Sequence, residues 1–226
     1  FGVNAAGVRT YNDFTADLKS STESDIEVTS IYIQDQIDVT GKFKILLGGR
    51  FDNFDITVRD VKKGTSENRE DEEFSPRAGL IFKPQENVSL YVSYAESFLP
   101  RSGEQFKKLD ANAARLDPDV YESTEIGVKW DIRPGLSFTA SYFDSEQTVA
   151  TRDSDTGENS EIVGLQVDGI ELELKGQVTE KLSLAIGYSD LDGETAKGGE
   201  PREIPEYTAS LWATYEVNDR FGIGFG

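Results

Sequence analysis

The sequence predicts an all-β fold: an antiparallel meander of about ten strands forming a transmembrane β-barrel or a segment of one. Three observations predict it. Apolar and polar residues alternate with period two along most of the 226 residues. Short turn signals alternate with long polar stretches, so one end of the meander has tight turns and the other has loops. Amphipathic aromatics recur at the two ends of the aliphatic runs, as they do where a barrel meets its membrane interfaces.

The turns "TGK" (40–42), "PQEN" (84–87), "RPG" (133–135), "TEK" (179–181) and "ND" (218–219) divide the chain. Between them the stretches 61–73, 98–118, 151–161 and 192–203 are rich in Gly, Ser, Asp, Glu and Lys, and read as loops. Strand-like runs follow at 25–39, 43–60, 74–83, 87–97, 119–132, 135–150, 161–178, 181–191, 204–217 and 220–226. One face carries Phe43, Ile45, Leu47 and Phe51, then Ala78, Leu80 and Phe82, then Val88, Leu90, Val92 and Tyr94. It continues through Ile126, Val128 and Trp130, Leu136, Phe138, Ala140 and Tyr142 to Ile170, Leu172 and Leu174. Leu182, Leu184, Ile186 and Tyr188 precede Leu211, Ala213 and Tyr215 at its end. In the first run Asp35 falls on the parity of Ile33 and Ile37, which calls for a bulge or an interfacial position.

The other parity carries charge. Lys44, Arg50, Asp52, Arg77, Glu125, Lys129, Glu171, Glu173 and Lys175 alternate with the apolar set, and in a barrel they face the lumen. Tyr94, Tyr142 and Tyr188 lie near the loop ends of their runs, and Phe82, Trp130 and Tyr215 near the turns. The aliphatic interval between the two aromatic rows spans roughly 23 Å at a strand's rise per residue. That is close to the apolar band of about 25 Å in an outer-membrane barrel. A soluble sandwich has the same alternation on its inner faces, so pattern alone leaves that alternative open.

Composition removes several classes of function. The formal net charge of -19 repels nucleic acid. Histidine and cysteine are absent, which excludes Ser-His-Asp and Cys-His catalysis, thiolate metal sites and HExxH zinc chemistry. Glu171 and Glu173 share a strand face and could in principle serve as an acid–base pair, but charged wall residues explain them better, and no enzyme activity is expected. Asp153, Asp155 and Glu158 in "DSDTGEN" offer hard oxygen ligands without EF-hand spacing, and read as an acidic turn. No metal site and no cofactor is expected. The start, "FGVNAAGVRT", has no initiator Met and no signal-peptide pattern, so the chain reads as a mature or excised piece.

Several segments go beyond pattern. "SIYIQDQIDVTGKFKILLGGRFDNFD" (30–55), "FSPRAGLIFKPQENVSLYVSYAESFLPRSGEQF" (74–106) and "ESTEIGVKWDIRPGLSFTASYFDSEQT" (122–148) resemble successive hairpins of TonB-dependent ferric-siderophore receptors. "VDGIELELKGQVTEKLSLAIGYSDLDG" (167–193) and "EIPEYTASLWATYEV" (203–217) continue in that family's order. Only about the first 25 residues lie outside the resemblance. The "FLPRSGEQF" loop is most similar to receptors for ferric catecholates. The resemblance implies a bacterial outer-membrane location among lipid and lipopolysaccharide. It also implies a ferric siderophore as cargo, and energy from the TonB complex through a plug domain.

Members of that family are 22-stranded barrels with an N-terminal plug. Residues 1–226 read as one barrel segment in which no plug domain, TonB-contacting segment or C-terminal closing strand is legible. The candidate ligand-binding residues are Arg101, Phe106, Lys107, Lys108 and Arg115, in the loop 98–117. A ferric tris-catecholate is anionic and aromatic-faced, and cations with an adjacent ring suit it. The alternative is an excised or engineered β-scaffold without transport activity, water-soluble if its apolar face is a core.

Overall fold

In a computed structural model of the chain, the structure describes residues 2–3, 9–10, 21–100, 117–152, 159–202 and 204–226. Two short strands, β1 (Gly2–Val3) and β2 (Arg9–Thr10), pair with each other. A second sheet of ten strands accounts for most of the described residues. Its strands are β3 (Thr22–Asp38), β4 (Phe43–Asp60), β5 (Thr65–Gln85), β6 (Val88–Leu99) and β7 (Asp119–Arg133). They are followed by β8 (Leu136–Arg152), β9 (Asn159–Gln177), β10 (Leu182–Thr195), β11 (Tyr207–Asn218) and β12 (Phe221–Phe225). Each strand pairs antiparallel with its sequence neighbours, and β3 and β12 form the two edges.

Register brings the alternating residues of every strand into common rows. Across β4, β5, β6, β7, β8 and β9 the pairings Ile45↔Leu80, Leu80↔Val92, Val92↔Ile126, Ile126↔Tyr142 and Tyr142↔Ile170 keep apolar against apolar. A slip of one residue at any ladder would turn a whole strand over, so this agreement makes the face continuous. At the turn end, Phe43 stacks on Phe82 with ring centroids 4.6 Å apart, and Trp130 pairs with both Val88 and Phe138.

This sheet covers almost none of its apolar face. The chain exposes 16382 Å², where a compact soluble protein of its mass exposes roughly 10,000 Å². Ile126, Trp130, Tyr142, Ile170, Leu211 and Tyr215 are all exposed, and the buried hydrophobic residues among the described set are Ile56, Val58, Leu136 and Ala213.

Two sequence expectations are corrected and a third is narrowed. The stretch 61–73 is not a loop: β5 begins at Thr65, and only residues 61–64 turn. Its polar residues continue the ladder from Phe51↔Phe74 to Asp60↔Thr65, because the covered face of the strand is built from Arg69, Asp71 and Glu73 and so shows no apolar alternation. Likewise β10 runs on to Thr195 inside the expected loop 192–203. Of the two readings of Asp35 the bulge is excluded, since β3 and β4 pair without a register shift from Thr22↔Asp60 to Asp38↔Lys44. The register through Leu47 and Ala78 puts Asp35 in line with Tyr94 of the upper aromatic row. Shifts occur instead within Phe82/Gln85, Asp131/Arg133, Gln147/Thr148 and Glu216/Asn218.

Candidate functional site

The face opposite the aliphatic rows is polar. Cross-strand pairing carries one parity from Gln34↔Gly48 and Gly48↔Arg77 to Arg77↔Ala95 and Ala95↔Ser123. A neighbouring row runs Ser93↔Glu125, and beyond it lie Lys129↔Thr139, Thr139↔Glu173 and Ser141↔Glu171. Lys44, Arg50, Asp52, Arg77, Glu125, Lys129, Glu171 and Glu173 therefore share one side of the sheet. The grooves of the sheet open on that side. One of about 410 Å³ is bordered by Lys129, Thr139, Glu171, Glu173, Ser189 and Ser210.

Side-chain contacts on this face depend on small residues. Gly48 leaves room for the stem of Arg77, whose Nη1 donates to Gln34 Oε1 on the far side of β4 at 3.2 Å. Gly127 does the same for Tyr91: a Cβ there would lie 2.6 Å from the phenol Cζ. The Tyr91 hydroxyl donates to Glu125, and Lys129 Nζ sits 5.5 Å from the ring centroid, within cation–π range. Tyr91, Gln34 and Gly48 are absent from the sequence-derived candidates. A glycine inside a strand run was the available signal that something approaches the backbone closely there.

Beyond the upper aromatic row, the acidic members of two ion pairs are buried. Arg50 Nε bonds both oxygens of Asp52 at 2.8 and 2.9 Å, its Nη2 donates to Ser30 Oγ at 2.8 Å, and Ser30 also donates to Asp52. Arg69 grips Asp71 in the same two-pronged way, at 2.6 to 2.8 Å. Asp52 and Asp71 are only 4% and 6% exposed. Burial, reinforced by the charges of Asp71 and Asp117, pushes the Glu73 carboxyl up, with Arg69 opposing. At the hairpin tip, the backbone N–H of Lys63 leads the contacts that hold the Asp60 carboxyl below its usual range.

Arg101, Phe106, Lys107, Lys108 and Arg115 lie outside the described residues, as do Asp153, Asp155 and Glu158. Ends of the loop are described: Phe98 packs edge-on against Phe54 at 5.4 Å, and Pro100 and Pro118 are buried.

A sheet with an exposed aliphatic band between aromatic rows, and charges on its reverse, is the wall of a β-barrel that crosses a membrane. The chain belongs to the TonB dependent receptor-like β-barrel family, whose family model matches residues 1–226. The chain is 31% identical to the probable TonB-dependent siderophore receptor PiuA of Acinetobacter baumannii, over 90% of this chain and 31% of that protein. The crystal structure of that receptor superposes with a TM-score of 0.81 at 29% identity, covering 90% of this chain and 33% of that one. The ferrichrome outer membrane transporter/phage receptor of Escherichia coli K12 is 31% identical over 84% of this chain and 26% of its own length. The ferric-catecholate import receptor Fiu of E. coli K12 shares the fold with a TM-score of 0.79 at 21% identity, covering 90% of this chain and 34% of that one. The chain thus spans about a third of the length of the relatives it matches.

Proposed function

We propose that this chain forms part of the wall of a bacterial outer-membrane receptor that imports a ferric siderophore, of catecholate type, at the expense of the TonB complex. The observation that carries the reading is the two-faced sheet: an exposed aliphatic band backed by charged and hydroxyl side chains. A water-soluble scaffold would leave those apolar rows in water, which disfavours that alternative.

In this reading the outward band meets lipid and lipopolysaccharide. Lys44, Arg50, Asp52, Arg77, Glu125, Lys129, Glu171 and Glu173 line the lumen and hold a plug domain contributed by another part of the polypeptide. Arg101, Phe106, Lys107, Lys108 and Arg115 take the anionic, aromatic-faced complex at the mouth. The single segment 1–226 supplies wall and loops, not chemistry, and it acts as no enzyme. The relatives' names support a siderophore in general, and the loop's cations and rings support a catecholate in particular.

The test is binding of a ferric tris-catecholate to the intact protein, read by quenching of intrinsic fluorescence, beside growth of iron-starved cells. Saturable binding that falls about tenfold in a Lys107→Ala, Lys108→Ala double variant supports the reading. Equal response to a ferric hydroxamate removes the catecholate assignment, and failure with every ferric chelate removes the transport reading.

A further inference from the structure

Above the aromatic girdle the sheet divides. β4 and β5 stay paired to Asp60↔Thr65, yet the ladder between β5 and β6 stops at Arg77↔Ala95. The next residue of β5 is Pro76, which has no N–H to give β6, and its partner on β4 is Gly49. β3, β4 and β5 thus leave the wall as a three-stranded ribbon, while the upper ends of β6 and β7, an arm that stays joined to β8 as far as Val120↔Thr148, continue through Phe98↔Val120 and Leu99↔Asp119.

Apolar parity inverts two residues above that level. As far as Phe51, Ile31, Ile33, Leu47 and Phe51 share the outward parity; beyond it, the apolar residues of β4 are Phe54, Ile56 and Val58, on the opposite parity. Ile56 is fully buried and Val58 is 5% exposed. The arm meets them from its other side: Phe98, which packs on Phe54, carries the outward parity of β6. An inward residue of one ladder touches an outward residue of the next only where the two have passed in front of each other.

We infer that the ribbon is a backing layer for the β6–β7 arm, and that the seam of Phe54, Ile56 and Val58 against Phe98, Pro100 and Pro118 is a releasable joint. The joint sets how far the ribbon leans away from the arm and the wall it belongs to, with Pro76 and Gly49 as its hinge line. Carboxylates meet across it, Glu73 and Asp71 from the ribbon and Asp117 from the arm, with Asp52 beside Glu73 and with Arg69 and Arg50 as the cations nearby. Asp71 and Asp52 are held by Arg69 and Arg50, so the contact that closes the seam is the apolar one between Phe54 and Phe98. Its bearing on ligand capture rests on the receptor reading above; the joint itself does not.

Because the chain has no cysteine, Ser66→Cys and Ser97→Cys take spin labels on ribbon and arm alone, provided the rest of the intact protein is also cysteine-free. In proteoliposomes the parent should give one narrow distance distribution, and Ile56→Ala should broaden and lengthen it. Should Ile56→Ala fail to assemble, Pro76→Val decides. Its new N–H extends the β5–β6 ladder, and amide exchange at Glu96, whose N–H faces β5, slows about tenfold or more. Unchanged distances in Ile56→Ala, or unchanged exchange in Pro76→Val, overturn the joint. Ferric tris-catecholate titration of the same samples is read separately: lost binding with the joint behaving as described overturns the receptor reading alone.

Discussion

At the residue scale, glycines in the strands matter by what lies over them. A Cβ at Gly127 would meet the Tyr91 ring at 2.6 Å and the Ala140 carbonyl oxygen at 2.8 Å, and backbone does not give way cheaply. Gly127→Val should cost about 1–3 kcal/mol in urea unfolding from lipid vesicles, because Tyr91 must leave Glu125 and Lys129. At Gly79 the nearest atoms lie at 3.6 Å, so Gly79→Ala should stay within about 0.5 kcal/mol. Asp71→Ala removes the carboxylate that Arg69 holds in a nearly dry setting and should cost about 3 kcal/mol in the same assay. Sequence reading reached Asp52 and Arg77 through their parity. It did not reach Tyr91 or the Arg69–Asp71 pair: Tyr91 is an aromatic on the parity read as charged, and Arg69 and Asp71 sat within an apparent loop.

At the scale of elements, the alternation rule worked wherever one face of the sheet is apolar and the other polar, and failed where the covered face is itself charged, as at Arg69, Asp71 and Glu73. That is why β5 began nine residues earlier than its apolar residues announced, at Thr65 rather than 74. The rule also gives one parity per strand, whereas β4 uses one below Phe51 and the other above it. Two carboxyls make the ribbon's pH dependence specific. Glu73 is raised, so the seam it faces is firmest at acid pH and loosens as pH rises through its folded pKa. Asp60 is lowered, so the tip turn is intact above the ordinary aspartate range and is lost as pH falls through its folded value. Amide exchange followed from pH 4 to pH 8 should show protection at Glu96–Leu99 falling as pH rises, after correction for intrinsic rates. Glu73→Gln should flatten that profile, and an unchanged profile would remove Glu73 from the seam.

For the whole molecule, the question is which solvent the exposed apolar rows meet. Two stacked sheets would bury them against each other about 10 Å apart, but apart from the two-residue strands β1 and β2 the described strands all belong to one ten-stranded sheet whose apolar rows are exposed. Register supplies the decisive comparison, because Leu172 and Thr139 lie on adjacent strands and on opposite faces: Leu172 pairs with Ala140, and Thr139 with Glu173. A charge at Leu172 enters hydrocarbon if the band spans a bilayer, whereas a charge at Thr139 enters a wet wall beside a carboxylate. Leu172→Arg should therefore cost about 2–4 kcal/mol in unfolding from lipid vesicles. Thr139→Arg should remain within about 0.5 kcal/mol of the parent. The reverse order would mean that the polar face is the one enclosed by protein. An equal, small effect at both positions, in a chain that folds in plain buffer, would mean that neither face meets lipid.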